Sequence, residues 1–209
     1  MIKIEKLNKK FGEKRVIKDF SYEIPDGIMI AITGKSGCGK STLLNILGLL
    51  DVDYDGKILY DGIMVSAERE KKRNEYIRNN INYLFQNYAL IDTDTVYENL
   101  ILALEYEKIT KKEKLKRINE TLELVGLKDF NNKKIFTLSG GEQQRVALAR
   151  IMLKRGDIIL ADEPTGNLDK ENSNKVMEIL TRLKKDGKTI IIVTHDESIA
   201  NQCDDVIRW

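Results

Sequence analysis

The stretch Gly34-Lys-Ser-Gly-Cys-Gly-Lys-Ser41 fits the pattern G-x-x-x-x-G-K-[S/T] over its full length. Gly34, Gly37 and Gly39 free the backbone to curl successive amides, those of Ser36 and Cys38 among them, around an anion. Lys40 can reach the β- and γ-phosphates, Ser41 offers a hydroxyl to magnesium, and Thr42 begins the helix whose positive end faces the same point. The competing reading is a glycine-rich turn with no ligand. Cys38 is open in the same way: it is either a reactive thiol that bound nucleotide would protect, or a small residue filling a tight turn.

A magnesium site needs a second anchor. In Asp157-Ile-Ile-Leu-Ala-Asp-Glu163, Asp162 follows a buried strand, where a lone carboxylate is costly unless it meets a cation directly or through water. Glu163 projects differently and can polarise a water for attack on a γ-phosphate. Without a phosphate loop nearby, the pair would read equally well as loop acids. His195, the chain's single histidine, sits just past the apolar run Ile190 to Thr194. It reaches a γ-phosphate if strand order brings that run beside the phosphate loop, and is otherwise a surface or core residue. Gln86 ends the apolar run Ile81-Asn-Tyr-Leu-Phe85 and means little alone.

A third candidate is Leu-Ser-Gly-Gly-Glu-Gln-Gln at 138 to 144. Ser139 and Glu142 form a capping box before Val146, Leu148 and Ala149. Gly140 and Gly141 do not follow from that, since each glycine in a helix costs about 1 kcal/mol relative to alanine. Their presence argues that an anion needs close access to bare amides at this positive helix end.

The intervening sequence supplies elements to position these groups. Ile2 and Ile4, then Phe20, Tyr22 and Ile24, alternate as β-structure up to the turn Pro25-Asp26-Gly27. Ile28 to Thr33 is a short continuous apolar run, as expected of a strand covered on both faces. Lys57 to Tyr60 and Ile63 to Val65 flank Asp61-Gly62 as a hairpin would. From Asp92 to Leu153 the spacing turns helical, with Val96, Leu100, Ile101 and Leu104, then Leu115, Ile118, Leu122 and Val125 before Gly126. Strands return at Asp157 to Ala161 and Lys188 to Thr194, joined by a helix carrying Val176, Ile179, Leu180 and Leu183. Strand, helix, strand of this kind predicts a parallel sheet.

Composition fits one large domain or two small ones: 209 residues, 42% of them hydrophobic, can bury a sizeable core. The net charge of +2 speaks against a nucleic-acid binder, and the runs Lys71-Lys72-Arg73, Lys111-Lys112 and Lys133-Lys134 read as solvated helix faces. No opening segment reads as a signal peptide, and no apolar run nears the roughly 18 residues that span a bilayer. Two cysteines are too few for a disulfide framework and fit a reducing compartment, so a cytosolic protein is expected.

Together these motifs resemble an ATP-binding-cassette ATPase, the nucleotide-binding subunit of a transporter. The resemblance runs end to end: the phosphate loop at Gly34 to Ser41, Gln86 as the Q-loop, LSGGEQQ as the signature, Asp162-Glu163, Asn167-Leu168-Asp169 as the D-loop, and His195. It implies an α/β P-loop core with an antiparallel β-subdomain (residues 1–91 and 154–209 together) and an inserted helical subdomain (92–153). It implies that Phe11 stacks on adenine, tyrosine being commoner at that position. Glu163, His195, Gln86 and Lys40 are then catalytic, Ser41, Gln86 and Asp162 hold Mg2+, and Ser139, Gly140, Gly141 and Asp169 complete the ATP site of a second subunit.

The implied assembly is a homodimer with composite sites on the cytoplasmic face of the cell membrane, docked to permease subunits near the Q-loop and helical subdomain, with no nucleic acid. The stretches "FQNYALIDTDTVYENL" and "ADEPTGNLD" resemble the branch of lipoprotein-release, cell-division, macrolide-export and antimicrobial-peptide ATPases. With Trp209 just after the strand that follows His195, the compact form resembles that of small bacteriocin-export ATPases. Mechanotransmission without solute transport is the alternative. A soluble translation or repair ATPase fits less well, because such proteins usually carry two cassettes or a long coiled-coil insertion.

Overall fold

A computed structural model describes all residues from Met1 to Trp209. The chain opens with β1 (Ile2–Phe11) and β2 (Lys14–Ile24), antiparallel and joined at Gly12-Glu13, and β1 pairs on its other edge with β4 (Asp55–Tyr60). Between them in sequence lie β3 (Met29–Thr33) and helix α1 (Lys40–Leu47). A second sheet takes β3 together with β5 (Ile81–Leu84), β6 (Ile158–Asp162), β7 (Thr189–Val193) and β8 (Asp205–Arg208) in the order β5-β6-β7-β3-β8, every pair parallel.

The continuous apolar runs have a simple cause. In β7, Ile191 and Val193 belong to a core shared with α1 and the antiparallel sheet, whereas Ile190 and Ile192 face the opposite core. That second core includes Ala147, Leu148 and Ile151 of α5 (Gly140–Leu153) and Val176, Leu180 and Leu183 of α6 (Lys170–Lys185). A strand covered on both faces has no position for a polar residue, so alternation disappears. The result is three layers, with helices on both faces of the parallel sheet.

A third apolar cluster gathers α3 (Val96–Ile101), α4 (Lys111–Leu124) and the other side of α5, through Leu100, Ile118, Leu122, Val146 and Ala149. Helix α5 thus packs into two cores at once, and a boundary at Leu153 falls at the end of a shared helix. Gly126, at φ +72°, follows the end of α4 in the left-handed conformation expected of a helix-terminating glycine.

Two expectations fail. Ile63 to Val65 does not form the second arm of a hairpin: one bridge, Tyr60 to Ile63, closes the Asp61-Gly62 turn, and Val65 then enters a 3-10 turn that buries its side chain in the first core. The partner of β4 is β1. Lys71-Lys72-Arg73 and Lys111-Lys112 lie on α2 (Glu70–Asn80) and α4, but Lys133-Lys134 is an exposed non-helical segment, bridged to Thr95 through Lys134, before the 3-10 turn Ile135–Thr137. The last helix, α7 (Glu197–Ala200), is a single turn. No helix is long and apolar enough to cross a membrane.

Candidate functional site

Strand order brings the site together. Because β7 pairs with β3 on one side and β6 on the other, the loops leaving β3, β6 and β7 open side by side at one sheet edge, with β5 beyond β6. The loop after β3 runs through Gly34, Gly37 and Gly39 at φ +152°, +73° and +111°, values that disfavour any side chain. Gly39 then caps α1 with no side-chain acceptor, and the first turn contains no acidic residue. The opening amides of α1 are therefore left for an external anion.

Lys40 is buried and its Nζ donates to the carbonyls of Gly34 and Lys35, both at 2.9 Å, so the cation lies folded along its own loop. The next residue, Ser41, donates from Oγ to Asp162 Oδ1 at 3.1 Å. Burial pushes the Asp162 carboxyl above its usual range; the Ser41 hydrogen bond opposes this, the neighbouring Glu163 charge adds to it, and Lys40 opposes it. A half-buried carboxylate beside a hydroxyl is a hard oxygen donor set that suits Mg2+.

Glu163 takes φ +47°, uncommon for a residue with a side chain, and its N–H donates to Val193 O at 2.9 Å. That tie to β7 sets the carboxylate against His195, with Glu163 Oε1 2.8 Å from His195 Nδ1, while Glu163 Oε2 is buried with no hydrogen-bonding partner. The hydrogen bond and charge of Glu163 raise the His195 pKa. The imidazole is otherwise open, 71% exposed.

Phe11, Ser36, Gly37, Gly39, Lys40, Ser41, Thr42, Gln86, Asp162, Glu163 and His195 all line one cleft of about 580 Å³. That size lies within the range of small-molecule sites. Phe11 stands 55% exposed at its rim, with Lys14 and Val16 of β2 beside it. Sequence reasoning passed over Lys14, Val16 and Gly166, which gave no chemical signal, and had Asn167 only as part of the D-loop. Gly34 and Cys38, although in the loop, do not line the cleft. A Cβ on Gly34 would stand 3.2 Å from Cys38 Sγ, so the thiol packs into the turn.

Ser139, Gly140, Gly141 and Asp169 are not in this cleft. The capping box forms as expected, with Glu142 N–H donating to Ser139 Oγ at 3.3 Å and Ser139 N–H donating to Glu142 Oε2 at 2.8 Å. The two glycines differ. A Cβ on Gly141 would lie 2.6 Å from Asn172 Cγ, so Gly141 is required by a contact within the chain, and an anion is not needed to explain it. At Gly140, exposed to solvent, the nearest atom to such a Cβ is Tyr88 Oη at 3.4 Å. Asp169 caps α6, accepting from Asn172 N–H at 2.8 Å, and Asn172 in turn accepts from Arg145 at 2.6 Å.

Two residues of α5 were given no role of their own by the sequence, Gln144 entering only as the last letter of the signature. Gln144 is buried and donates to Pro164 O at 2.7 Å, tying α5 to the loop after Glu163. Arg150 donates to Ala89 O at 2.6 Å and Tyr88 O at 2.8 Å, holding a loop in which both residues have positive φ. Beside that loop, an apolar depression lined by Leu50, Ile77, Tyr83, Phe85, Leu102 and Ala103 is flanked by Arg78, Lys154 and Arg155.

The ABC transporter family matches residues 17–166. Over 212 residues the chain is 41% identical to a macrolide export ATP-binding/permease protein, MacB, of Aggregatibacter actinomycetemcomitans, matching with all of its length 33% of that protein. The chain thus spans about a third of such macrolide-export relatives. It is also 39% identical over 209 residues to the ATP-binding protein LolD of a lipoprotein-releasing system in Bacteroides thetaiotaomicron, covering 100% of this chain and 96% of that one. Among solved structures it is similar to a dimeric ATP-binding cassette in a post-hydrolysis state bound to ADP and Pi, with TM-score 0.89, 36% identity, and coverage of 100% of this chain and 94% of that chain.

Proposed function

Taking as premise that the chain belongs to the ABC transporter family, we propose that it is a Mg2+-dependent ATPase subunit that couples ATP-driven dimerisation to a separate membrane permease. The observation that carries this reading is the single cleft in which an uncapped helix end, the Ser41–Asp162 pair and the Glu163–His195 pair meet.

The phosphate chain of ATP is received by the amides from Ser36 to Ser41, and Phe11 offers its exposed ring face to adenine. Lys40 leaves its own loop carbonyls for the β- and γ-phosphates. Ser41, Asp162 and Gln86 would hold Mg2+, and the ion would supply neutralisation of the phosphate charge. Glu163, which lines the cleft with its Oε1 on His195, orients the attacking water. His195 senses the γ-phosphate when its imidazole turns from Glu163.

The helix start at Ser139-Gly140, exposed and away from the cleft of its own chain, is suited to complete the cleft of a second copy, giving two shared sites in a symmetric dimer. The apolar depression beside Gln86, with basic residues on its flanks, is where we place the permease contact. The substrate we assign is an amphipathic molecule, a peptide or bacteriocin among the candidates; the names of the two relatives above speak to macrolides and lipoproteins and not to bacteriocins. Force transmission or lipoprotein release on the pattern of the second relative fits the same site equally.

The test is Glu163→Gln. It keeps shape and removes charge, so ATP binding and dimer formation should persist while turnover falls by about 10²- to 10⁴-fold. Wild-type turnover in that variant would remove Glu163 from the reaction. Specific activity that stays constant on dilution to monomer, with ATP present, would remove the shared site.

A further inference from the structure

Trp209 is the chain's single tryptophan, and it lies directly under the phosphate loop. Its backbone N–H donates to Thr33 O at 2.8 Å, where the loop begins, and its indole Nε1–H donates to Cys38 O at 2.9 Å, near where the loop ends. The first and last glycines of the loop both meet it: a Cβ on Gly34 would stand 2.9 Å from Trp209 O, and one on Gly39 would stand 3.7 Å from Trp209 Nε1. The ring itself is fixed from below by Phe20, with centroids 4.8 Å apart and planes inclined at 52°.

The hydrogen bond to Cys38 has a consequence for the next residue. All peptide bonds are trans, and in a planar trans peptide the C=O of one residue and the N–H of the next point in opposite directions. A Cys38 carbonyl held inward on the indole therefore turns the Gly39 N–H outward, and Gly39 lines the cleft. With φ at +111°, Gly39 has wide backbone freedom and no side chain to restrict it, so the orientation of this peptide needs an external restraint.

We infer that Trp209 is a positioning residue of the nucleotide site, its indole N–H locking the Cys38–Gly39 peptide so that the Gly39 amide is presented to a phosphate oxygen before the nucleotide arrives. This deepens, and rests on, the reading of the cleft as an ATP site. The residue acts through the loop backbone and touches no reacting atom. Its contribution is to pre-organisation, which stabilises bound substrate and transition state alike.

The test compares wild-type protein with Trp209→Phe, which keeps an aromatic ring against Phe20 and removes the donor together with part of the indole's volume. Loss of one hydrogen bond predicts about 3- to 10-fold weaker ATP binding by equilibrium dialysis and a KM raised by the same factor, with kcat within about twofold of wild type. Binding and KM equal to wild type would overturn the proposal, as would a fall in kcat at unchanged KM. Should the variant fail to fold, the wild-type chain still decides, because its one indole gives one indole N–H NMR signal. That N–H must already be protected from solvent exchange without nucleotide, as its bond to Cys38 O requires, and an unprotected indole N–H on a protein shown by dialysis to bind ATP overturns the inference alone. A wild-type protein that holds no ATP at all removes the ATP reading and this inference with it.

Discussion

Gly141 and Gly140 are adjacent, both in the first turn of α5, and alanine should act on them in opposite directions. Without other constraints, Gly→Ala in a helix stabilises by up to about 1 kcal/mol. At 141 the new methyl would lie 2.6 Å from Asn172 Cγ and 2.7 Å from its Oδ1, so the Asn172 side chain must rotate away. Rotation breaks the part-buried bond it accepts from Arg145 at 2.6 Å and the exposed bond it donates to Asp169 at 2.9 Å. A bond to a charged group contributes about 1.5 kcal/mol or more, and an exposed one about 0.5 kcal/mol. Set against the helix gain, the balance is about 1 kcal/mol of destabilisation, or a Tm lowered by about 2–4 °C for a chain of this size. Gly140→Ala meets only Tyr88 Oη at 3.4 Å and should leave Tm unchanged or raise it. Thermal melts of the two variants without nucleotide make the comparison, and an Asn172→Ala background should abolish the penalty at 141. If Gly141→Ala raised Tm as much as Gly140→Ala, or kept its penalty after Asn172 was truncated, the in-chain explanation of Gly141 would be wrong.

Asp162→Asn should raise Tm in the absence of Mg-ATP, because burial raises the carboxyl's pKa in the folded state, which means that its ionised form opposes folding at neutral pH; the same variant should lose the Tm increase that Mg-ATP gives the wild type, and a lowered Tm without ligand would contradict the assignment. His195 should titrate above its unfolded value of about 6.5, so the stabilising His195–Glu163 pair is fully present below that value and is lost as pH rises through the folded one. As the only histidine, it gives one set of imidazole NMR signals, and these should show the raised value fall towards 6.5 in Glu163→Gln; a titration at or below 6.5 in the wild type would refute the pair.

What was legible in the sequence is what depends on short-range pattern. The phosphate loop, the carboxylate pair at the end of β6 and the histidine after β7 each close an apolar run, and such runs are visible because strands covered on both faces are mostly apolar. Strand order was not legible locally. His195 was therefore a conditional candidate until β7 proved to lie between β3 and β6. The Ile63–Val65 error has the same origin, since two apolar segments around Asp-Gly suggest a hairpin whatever distant strand offers a better partner, here β1. Gly141 shows the limit most directly. Sequence gave the energetic question, a glycine where a helix is weakened, but the answer lay in Asn172, 31 positions further along and brought close by packing of α5 on α6. Trp209 carried no motif and reaches the loop only because β8 pairs with β3.

Of the eight non-glycine residues at positive φ, three lie in the loops that follow Gln86 and β6, and each of these three is held by something remote in sequence. Glu163 is at φ +47° and is tied to Val193; Tyr88 and Ala89 are at +63° and +47° and are tied to Arg150. Conformations of this kind cost on the order of 1–3 kcal/mol each and persist only where surrounding structure imposes them. Arg150 is an expensive choice for the purpose, because burial of the guanidinium is unfavourable. Helix α5 begins at Ser139-Gly140-Gly141, contacts the loop after Glu163 through Gln144 and holds the loop after Gln86 through Arg150. A displacement of this one helix therefore cannot leave any of the three loops untouched.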